Sequence, residues 1–440
     1  MDSTRQAVLA RIDGMRDEIV AACQALVRIP SVNPKYPGQE YEAVVGGETT
    51  ANRELARHYE ALGAEIDFYE AEARRANLIG VWNGAGGGKS LAFNGHIDVV
   101  PVSEPEQWVA GDPFSGEVRD GRIYGRGATD MKSGLIAQVK AAEAIQRSGL
   151  RLKGDLILQS VVGEEVMDHL AGATAVARKY PADAAVVSEP TAPPAPLCIV
   201  PVTPGVQWMS VTVTGKPVHS SVRDELIRAG GGGAAIGVNA IEKGVSILTA
   251  LQKLEEQWGQ TKHHPLFKPG HFTIHPGVIQ GGPHGVMVPF IISEFCTIEY
   301  AVWYAPDDPA EAVREEIEAF VQAASQLDPW LKEHPPVFDW KMDWSPSVVD
   351  VDHPICQAVA AAHREAAQGQ SRIDPEPNFQ GFAAVCDATF LNNEGTPAIT
   401  YGPGNLLVAH AINEYIEIDE IMLAAKTYAL LAMDWCGVAQ

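Results

Sequence analysis

Leu91-Ala92-Phe93-Asn94-Gly95-His96-Ile97-Asp98 is an apolar run that ends on a histidine and, two residues later, an aspartate. A strand buried on both faces reads this way, and the carboxyl ends of such strands are where an open α/β sheet binds ligands. The arrangement recurs along the chain. Residues 156–162 run into Gly163-Glu164-Glu165, and Ala185-Val186-Val187 runs into Ser188-Glu189-Pro190-Thr191. Asp130 stands in Gly127-Ala128-Thr129-Asp130-Met131-Lys132, and His410 follows Tyr401-Gly402-Pro403-Gly404. Imidazoles and carboxylates in this mixture suit Zn²⁺ or a similar borderline cation. His96, Asp130, Glu164, Glu165, Glu189 and His410 therefore predict one two-metal cluster. Asp98 lies on the same side of an extended segment as His96, so its side chain is expected to accept the second ring N–H and fix the tautomer. Of the adjacent Glu164 and Glu165, one binds metal and the other stays free to carry a proton.

Outward from these runs, helical periodicity covers 5–28, 49–62, 132–148 and 168–180, and strand-like runs cover 64–69, 77–82, 90–94, 155–162 and 184–188. Strands alternating with helices predict an α/β fold: a mostly parallel sheet with helices on both faces. The pattern changes after Pro204. Residues 206–214 alternate, 237–256 are helical, 271–280 and 291–304 are strand-like, and 308–325 are helical. This order predicts a smaller α+β domain, 206–330, inserted into a catalytic domain made of 1–205 and 331–440.

A chain of 440 residues is long for one core, which also favours two domains. Its formal net charge of −23 argues against nucleic acid and anionic membrane as partners. The six cysteines are scattered without a CxxC spacing, as reduced thiols are. There is no signal-peptide apolar region and no apolar run of about 18 residues, so a cytoplasmic location is expected. Asn83-Gly84-Ala85-Gly86-Gly87-Gly88-Lys89-Ser90 imitates a phosphate-binding loop, but Asn83 replaces the first required glycine and a strand follows; a hairpin turn is expected instead.

Five motifs, in order, carry a family resemblance: Asn94-Gly95-His96-Ile97-Asp98-Val99-Val100-Pro101, Gly125-Arg126-Gly127-Ala128-Thr129-Asp130-Met131-Lys132-Ser133-Gly134, Gly163-Glu164-Glu165, Ser188-Glu189-Pro190-Thr191 and His410-Ala411-Ile412-Asn413-Glu414-Tyr415. Together they resemble the acetylornithine deacetylase / succinyl-diaminopimelate desuccinylase / aminoacylase / glutamate carboxypeptidase family of dinuclear metallohydrolases. The resemblance implies that Asp130 bridges two divalent ions (zinc first, cobalt or manganese as alternatives), that His96 and Glu189 complete one shell, and that Glu165 and His410 complete the other. It implies Glu164 as general base and a cis Asp130–Met131 peptide. His219, in Thr214-Gly215-Lys216-Pro217-Val218-His219-Ser220-Ser221, would reach a partner subunit's site and stabilise the oxyanion, which makes the inserted domain a lid and the protein a homodimer.

The sequence departs from that family in its inserted domain. Trp303 stands where relatives acting on free carboxylates carry an arginine, and Val286-Met287-Val288-Pro289 lacks the expected asparagine. An insertion at 222–235 brings Arg223 and Arg228 as candidate replacements before Asn239 restores the pattern. Trp303, Arg223, Arg228 and Asn239 are thus the substrate-binding candidates. The expected reaction is hydrolysis of the amide of a small N-acyl amino acid or N-acyl amine. The alternatives are a dipeptidase or carboxypeptidase, or a deformylase or carbamoyl amidase whose substrate lacks a carboxylate. A non-catalytic binding paralogue is more remote, because Glu164 and every ligand are retained.

Overall fold

The strands around Leu91 are buried from end to end because helices cover both of their faces. The fold is that of a computed structural model describing residues 3–370 and 373–439; the other residues lie outside it. It divides into two compact units. The first comprises the described residues up to Val202, together with Val348–Phe382 and the chain from Cys386 onward; the second is Thr203–Ser347 with Ala383–Val385.

In chain order the first unit carries β1 (Glu65–Glu72), β2 (Arg75–Trp82), β3 (Leu91–His96), β4 (Glu117–Arg119), β5 (Arg122–Tyr124), β6 (Leu156–Val161), β7 (Ala185–Val187) and β8 (Ile199–Val202). The second carries β9 (Gly205–Thr214), β10 (Ile274–Gly282), β11 (Phe295–Tyr304) and β12 (Val337–Trp344). The chain then returns to the first unit with β13 (Phe379–Gly381), β14 (Ala398–Thr400) and β15 (Tyr415–Glu417). The large sheet has the order β1-β2-β6-β3-β7-β14-β8-β13. Its centre, β6-β3-β7-β14, is parallel throughout, and β1 and β2 close one side antiparallel. Helices Ser133–Arg147, Pro354–Ala366 and Ile418–Cys436 pack together beside it through Leu135, Val359, Leu423 and Leu430, all fully or almost fully buried.

Three sequence expectations change. The helical stretch 5–28 is two helices, Ser3–Gly14 and Arg16–Val27, parted at Met15. Residues 83–90 are not a hairpin turn: β6 lies between β2 and β3, so this loop crosses β6 and bonds to 151–155 through Gly84 N to Asp155 Oδ1 (2.8 Å) and Ala85 N to Leu152 O (2.8 Å). The inserted segment also ends later than residue 330. β12 pairs antiparallel with β9, which extends the second unit to Ser347.

The second unit is an antiparallel sheet, β10-β11-β9-β12, with helices Ala240–Thr261 and Ala310–Ser325 packed on its apolar face. Met209, Val211 and Val213 of β9 and Ile298, Tyr300 and Val302 of β11 meet Leu251, Trp258, Ile317 and Val321 of the helices. Period-2 alternation selects which residues are buried: Met209, Val211 and Val213 go to the core, while Trp208, Thr212 and Thr214 stay wholly or partly exposed.

A buried charge network ties the first unit's loops together. The Arg75 guanidinium grips Glu48 with two bonds, 2.6 and 2.7 Å, and neither side chain has exposed surface. Its third nitrogen reaches Asp168 at 2.5 Å. Removing Glu48 leaves two buried nitrogens of Arg75 without a partner and only its third answered by Asp168 and Glu72, so Glu48→Ala should destabilise the unit by about 3–5 kcal/mol in urea denaturation. A loss below about 1 kcal/mol would show that the network has no organising role.

Candidate metal centre

Each strand end of the central sheet hands one ligand to the same space. β3 ends on His96, the 3₁₀ turn Glu164–Val166 follows β6, and Glu189 lies just beyond β7. Asp130 sits in the turn before helix Ser133–Arg147, and His410 sits in the loop after β14 at φ 60°. The two oxygens of Asp130 face different imidazoles. Oδ1 is 3.1 Å from His96 Nε2, and Oδ2 is 3.2 Å from His410 Nε2. Glu189 Oε1 adds to the first group at 3.3 Å from His96, and Glu165 Oε2 to the second at 3.0 Å from His410. Glu164 stands farther back, with Oε2 at 3.9 Å from His96 Nε2. The Asp130–Met131 peptide is cis.

Asp98 does something other than expected. The His96 Nδ1 is 2.9 Å from the backbone carbonyl of Asp98, while the nearer side-chain oxygen is 3.7 Å away. The carboxylate instead accepts the amides of Gly163 (3.0 Å), Glu164 (3.3 Å) and Glu165 (3.1 Å), with Asn33 Nδ2 at 2.7 Å. The reason is geometric: three successive amides of a tight turn converge on one point, and a carboxylate satisfies them better than a single ring nitrogen does. One residue thus fixes the His96 tautomer through its main chain and the Glu164-Glu165 turn through its side chain. Gly163 permits that turn, having φ 90° and no room for a Cβ, which would lie 2.8 Å from Asp168 O.

The electrostatics of the cluster follow from its burial and its like charges. Burial pushes the Glu164 carboxyl well above its ordinary value, raises Glu165, and holds Glu189 at about 8. Burial alone would lower both imidazoles, but the surrounding carboxylates outweigh it, raising His96 well above its usual range and His410 to about 11. Asp130 resists its own burial because His410 and His96 hold it below the carboxylate range. Glu165 Oε1 is buried with no hydrogen-bond partner among the described residues, and Glu189 Oε1 faces only the His96 ring nitrogen, at 3.3 Å. Buried carboxylate oxygens converging with imidazole nitrogens fit divalent cations, and two groups lie close enough to hold one: His96, Glu164 and Glu189, and His96, Asp130 and Glu165.

Residues 92–434 match the family described as peptidase family M20/M25/M40. The chain belongs to this family. Its M20/M25/M40 membership is what the five motifs implied, and it makes the protein a metal-dependent hydrolase of amide bonds. Over 445 residues it is 34% identical to the N-formyl-4-amino-5-aminomethyl-2-methylpyrimidine deformylase of Halalkalibacterium halodurans, covering 99% of this chain and 98% of that one. Its identity to the Bacillus subtilis deformylase of the same description is 31% over 456 residues, with 99% of both covered. Human carnosine dipeptidase 1 has the same fold, with a TM-score of 0.74 at 16% identity and 99% coverage of both chains.

The candidates in the second unit of this M20/M25/M40 chain have local partners. His219 precedes the 3₁₀ turn Ser220–Val222, and its Nδ1 accepts the Ser221 amide at 3.2 Å. That bond leaves the ring proton on Nε2 when the imidazole is neutral. Asn239 caps helix Ala240–Thr261 by accepting the Ile241 amide at 3.0 Å. Arg223 is paired with Glu242, and Arg228 with Glu225 at 2.5 Å, so a substrate carboxylate would have to displace an existing partner. Arg223 and Asn239 line a cleft of about 1160 Å³ walled by Val286, Met287 and Val288, but Arg228 and Trp303 do not line it. Trp303 is half-buried on β11, where its backbone exchanges hydrogen bonds with Thr273.

Sequence reading missed Asp387. An aspartate before helix Ala388–Asn393 reads as a cap, yet it makes no cap bond. It is buried with Oδ2 unpartnered, and burial pushes it to about 7. Asn33 was missed as well, since nothing local in Ser31-Val32-Asn33 marks it as a ligand to Asp98.

Carboxyls raised by burial stabilise the metal-free fold while protonated, and that contribution disappears as pH rises through their folded values, about 7 for Asp387 and about 8 for Glu189. The raised histidines act in the same direction. The lowered Asp130 acts in the opposite direction, but only below the ordinary carboxylate range. Metal-free protein should therefore melt at a lower temperature near about pH 8.5 than near about pH 5.5, and saturating Zn²⁺ should abolish or reverse that slope. Equal slopes with chelator and with Zn²⁺ in thermal scans would contradict this account.

Proposed function

We propose that this hydrolase removes a small acyl group, a formyl group first, from the amino nitrogen of an aminomethylpyrimidine-like amine that carries no free carboxylate. The observation that carries the reading is the likeness to two N-formyl-aminopyrimidine deformylases over 99% of the chain, combined with Trp303 at the position where carboxylate-binding relatives need an arginine.

Zinc is the proposed metal, with cobalt or manganese as alternatives. When bound, such cations supply Lewis acidity that polarises a carbonyl and acidifies water. The protein's own residues do the rest. Asp130, with one oxygen toward each imidazole, sets the spacing of the two positions. Glu164, farthest of the four carboxylates from its imidazole and raised by burial, takes a proton from the attacking water. The carbonyl carbon gains a C–O bond, the C–N bond breaks, and Glu164 returns the proton to the departing amine. The Nε2–H of His219 is the proposed oxyanion donor.

A homodimer through the second unit is also proposed. Edge strand β10 exposes Val278 and Ile279, and helix Ala240–Thr261 exposes Ile241 and Val245, an apolar face of the kind that pairing covers. All six cysteines are buried and unpaired, which supports a reducing cytoplasm. Among the described residues no helix is long and apolar enough to cross a membrane.

The discriminating assay compares an N-formyl aminomethylpyrimidine with an N-acetyl amino acid on metal-loaded enzyme. The formyl amide should be favoured by at least about 100-fold in kcat/KM, and a preference for the amino acid would overturn the proposed substrate class. Glu164→Gln should lower kcat by roughly 10²–10⁴ with metal stoichiometry unchanged. His219→Ala should cost about 10²–10³ in kcat if its Nε2–H meets the oxyanion.

A further inference from the structure

A buried ion pair outside the ligand set joins the two loops that carry Asp130 and His410. Glu414 is fully buried, and its Oε2 accepts from Arg126 Nη1 at 2.5 Å. Its Oε1 accepts the backbone amides of Thr129 at 3.0 Å and Asp130 at 3.2 Å. The other terminal nitrogen of Arg126, Nη2, donates to the backbone carbonyl of His410 at 3.1 Å. The guanidinium also lies over the Trp108 ring, 5.5 Å from its centroid. The hydrogen bonds run without a gap from the Asp130 amide through both side chains to the His410 carbonyl.

This placement is costly unless it serves a purpose, since well-packed apolar groups often replace a buried ion pair at no loss of stability. Here Glu414 Oε1 and Arg126 Nη2 go to the main chain of Thr129, Asp130 and His410, two of them proposed metal ligands, while Arg126 Nε is buried without a partner among the described residues. His410 adopts φ 60°, a backbone conformation that a side-chain-bearing residue seldom holds unaided. The Arg126 bond to its carbonyl is a restraint on that conformation. Only the planar fork of arginine reaches Glu414 and the His410 carbonyl together.

We infer that Arg126 and Glu414 are positioning residues for one of the two cation positions, that framed by His410, Glu165 and Asp130 Oδ2. The His96–Glu189 position hangs on the ends of β3 and β7 and on the Asp98 carbonyl, which the pair does not touch; the two positions share Asp130, and the Arg126 bond to the His410 carbonyl belongs to one of them alone. The inference rests on the proposal that the centre holds two cations, but not on which amide is cleaved.

The experiment is calorimetric titration of metal-free protein with Zn²⁺, alongside melting of the same metal-free samples. The unaltered chain should bind two ions; a single ion would overturn the two-cation reading itself. In Glu414→Gln and in Arg126→Lys one site should weaken by about 10–100-fold, with the other within about threefold. Adding Glu414→Gln to a His410→Ala chain, which has lost the sensitive site, should leave the remaining affinity unchanged. Equal weakening of both sites, or unchanged affinities with only a lower melting temperature, would overturn the inference and leave the pair a purely structural one. Should Glu414→Gln fail to fold, Arg126→Lys, which keeps the charge and loses the fork, decides alone.

Discussion

Four carboxylates, the buried Asp130 and Glu189 and the partly buried Glu164 and Glu165, converge on the buried His96 and the half-exposed His410, and taking each ionised carboxylate out of water costs several kcal/mol unless an opposite charge answers it. Two histidines cannot balance four acids at neutral pH without holding protons that catalysis needs removed. The rest of the first unit can be understood as scaffolding that keeps these like charges together. Strand ends deliver three of them, Asp98 ties down the turn bearing two, and the parallel centre of the sheet provides the only common direction in which these chain ends can converge.

Much of this was legible before the structure because local patterns carried it. An apolar run ending in His96, another ending in Glu164-Glu165 and a third ending near Glu189 are strand signals and ligand signals at once. What stayed hidden depends on partners distant in the chain. The amides that Asp98 accepts lie more than 60 positions away, so the spacing of His96 and Asp98 pointed to the wrong bond. Glu414 appeared in a quoted motif without a role because its partner Arg126 lies 288 positions earlier. β12 escaped notice because alternation alone does not say which sheet receives a strand, and its pairing with β9 moved the boundary to Ser347.

The two units solve different problems. In the first, buried polar groups are numerous and nearly all answered by named partners, as in the chain from His363 through Tyr401 to Thr427. The second is a simpler packing of two helices on four strands, and its polar candidates, Asn239, Arg223 and Arg228, are used as a helix cap and in ion pairs. Loop substitutions in the second unit, such as those at Val286-Met287-Val288 in the wall of its cleft, leave the charge balance of the first untouched.

His410 lies far along the chain from every other proposed ligand, all of which precede residue 190. During vectorial synthesis, at about 5–20 residues per second, His410 is added on the order of ten seconds or more after Glu189. The proposed His410 position therefore waits on a stretch of chain that the proposed His96–Glu189 position does not need.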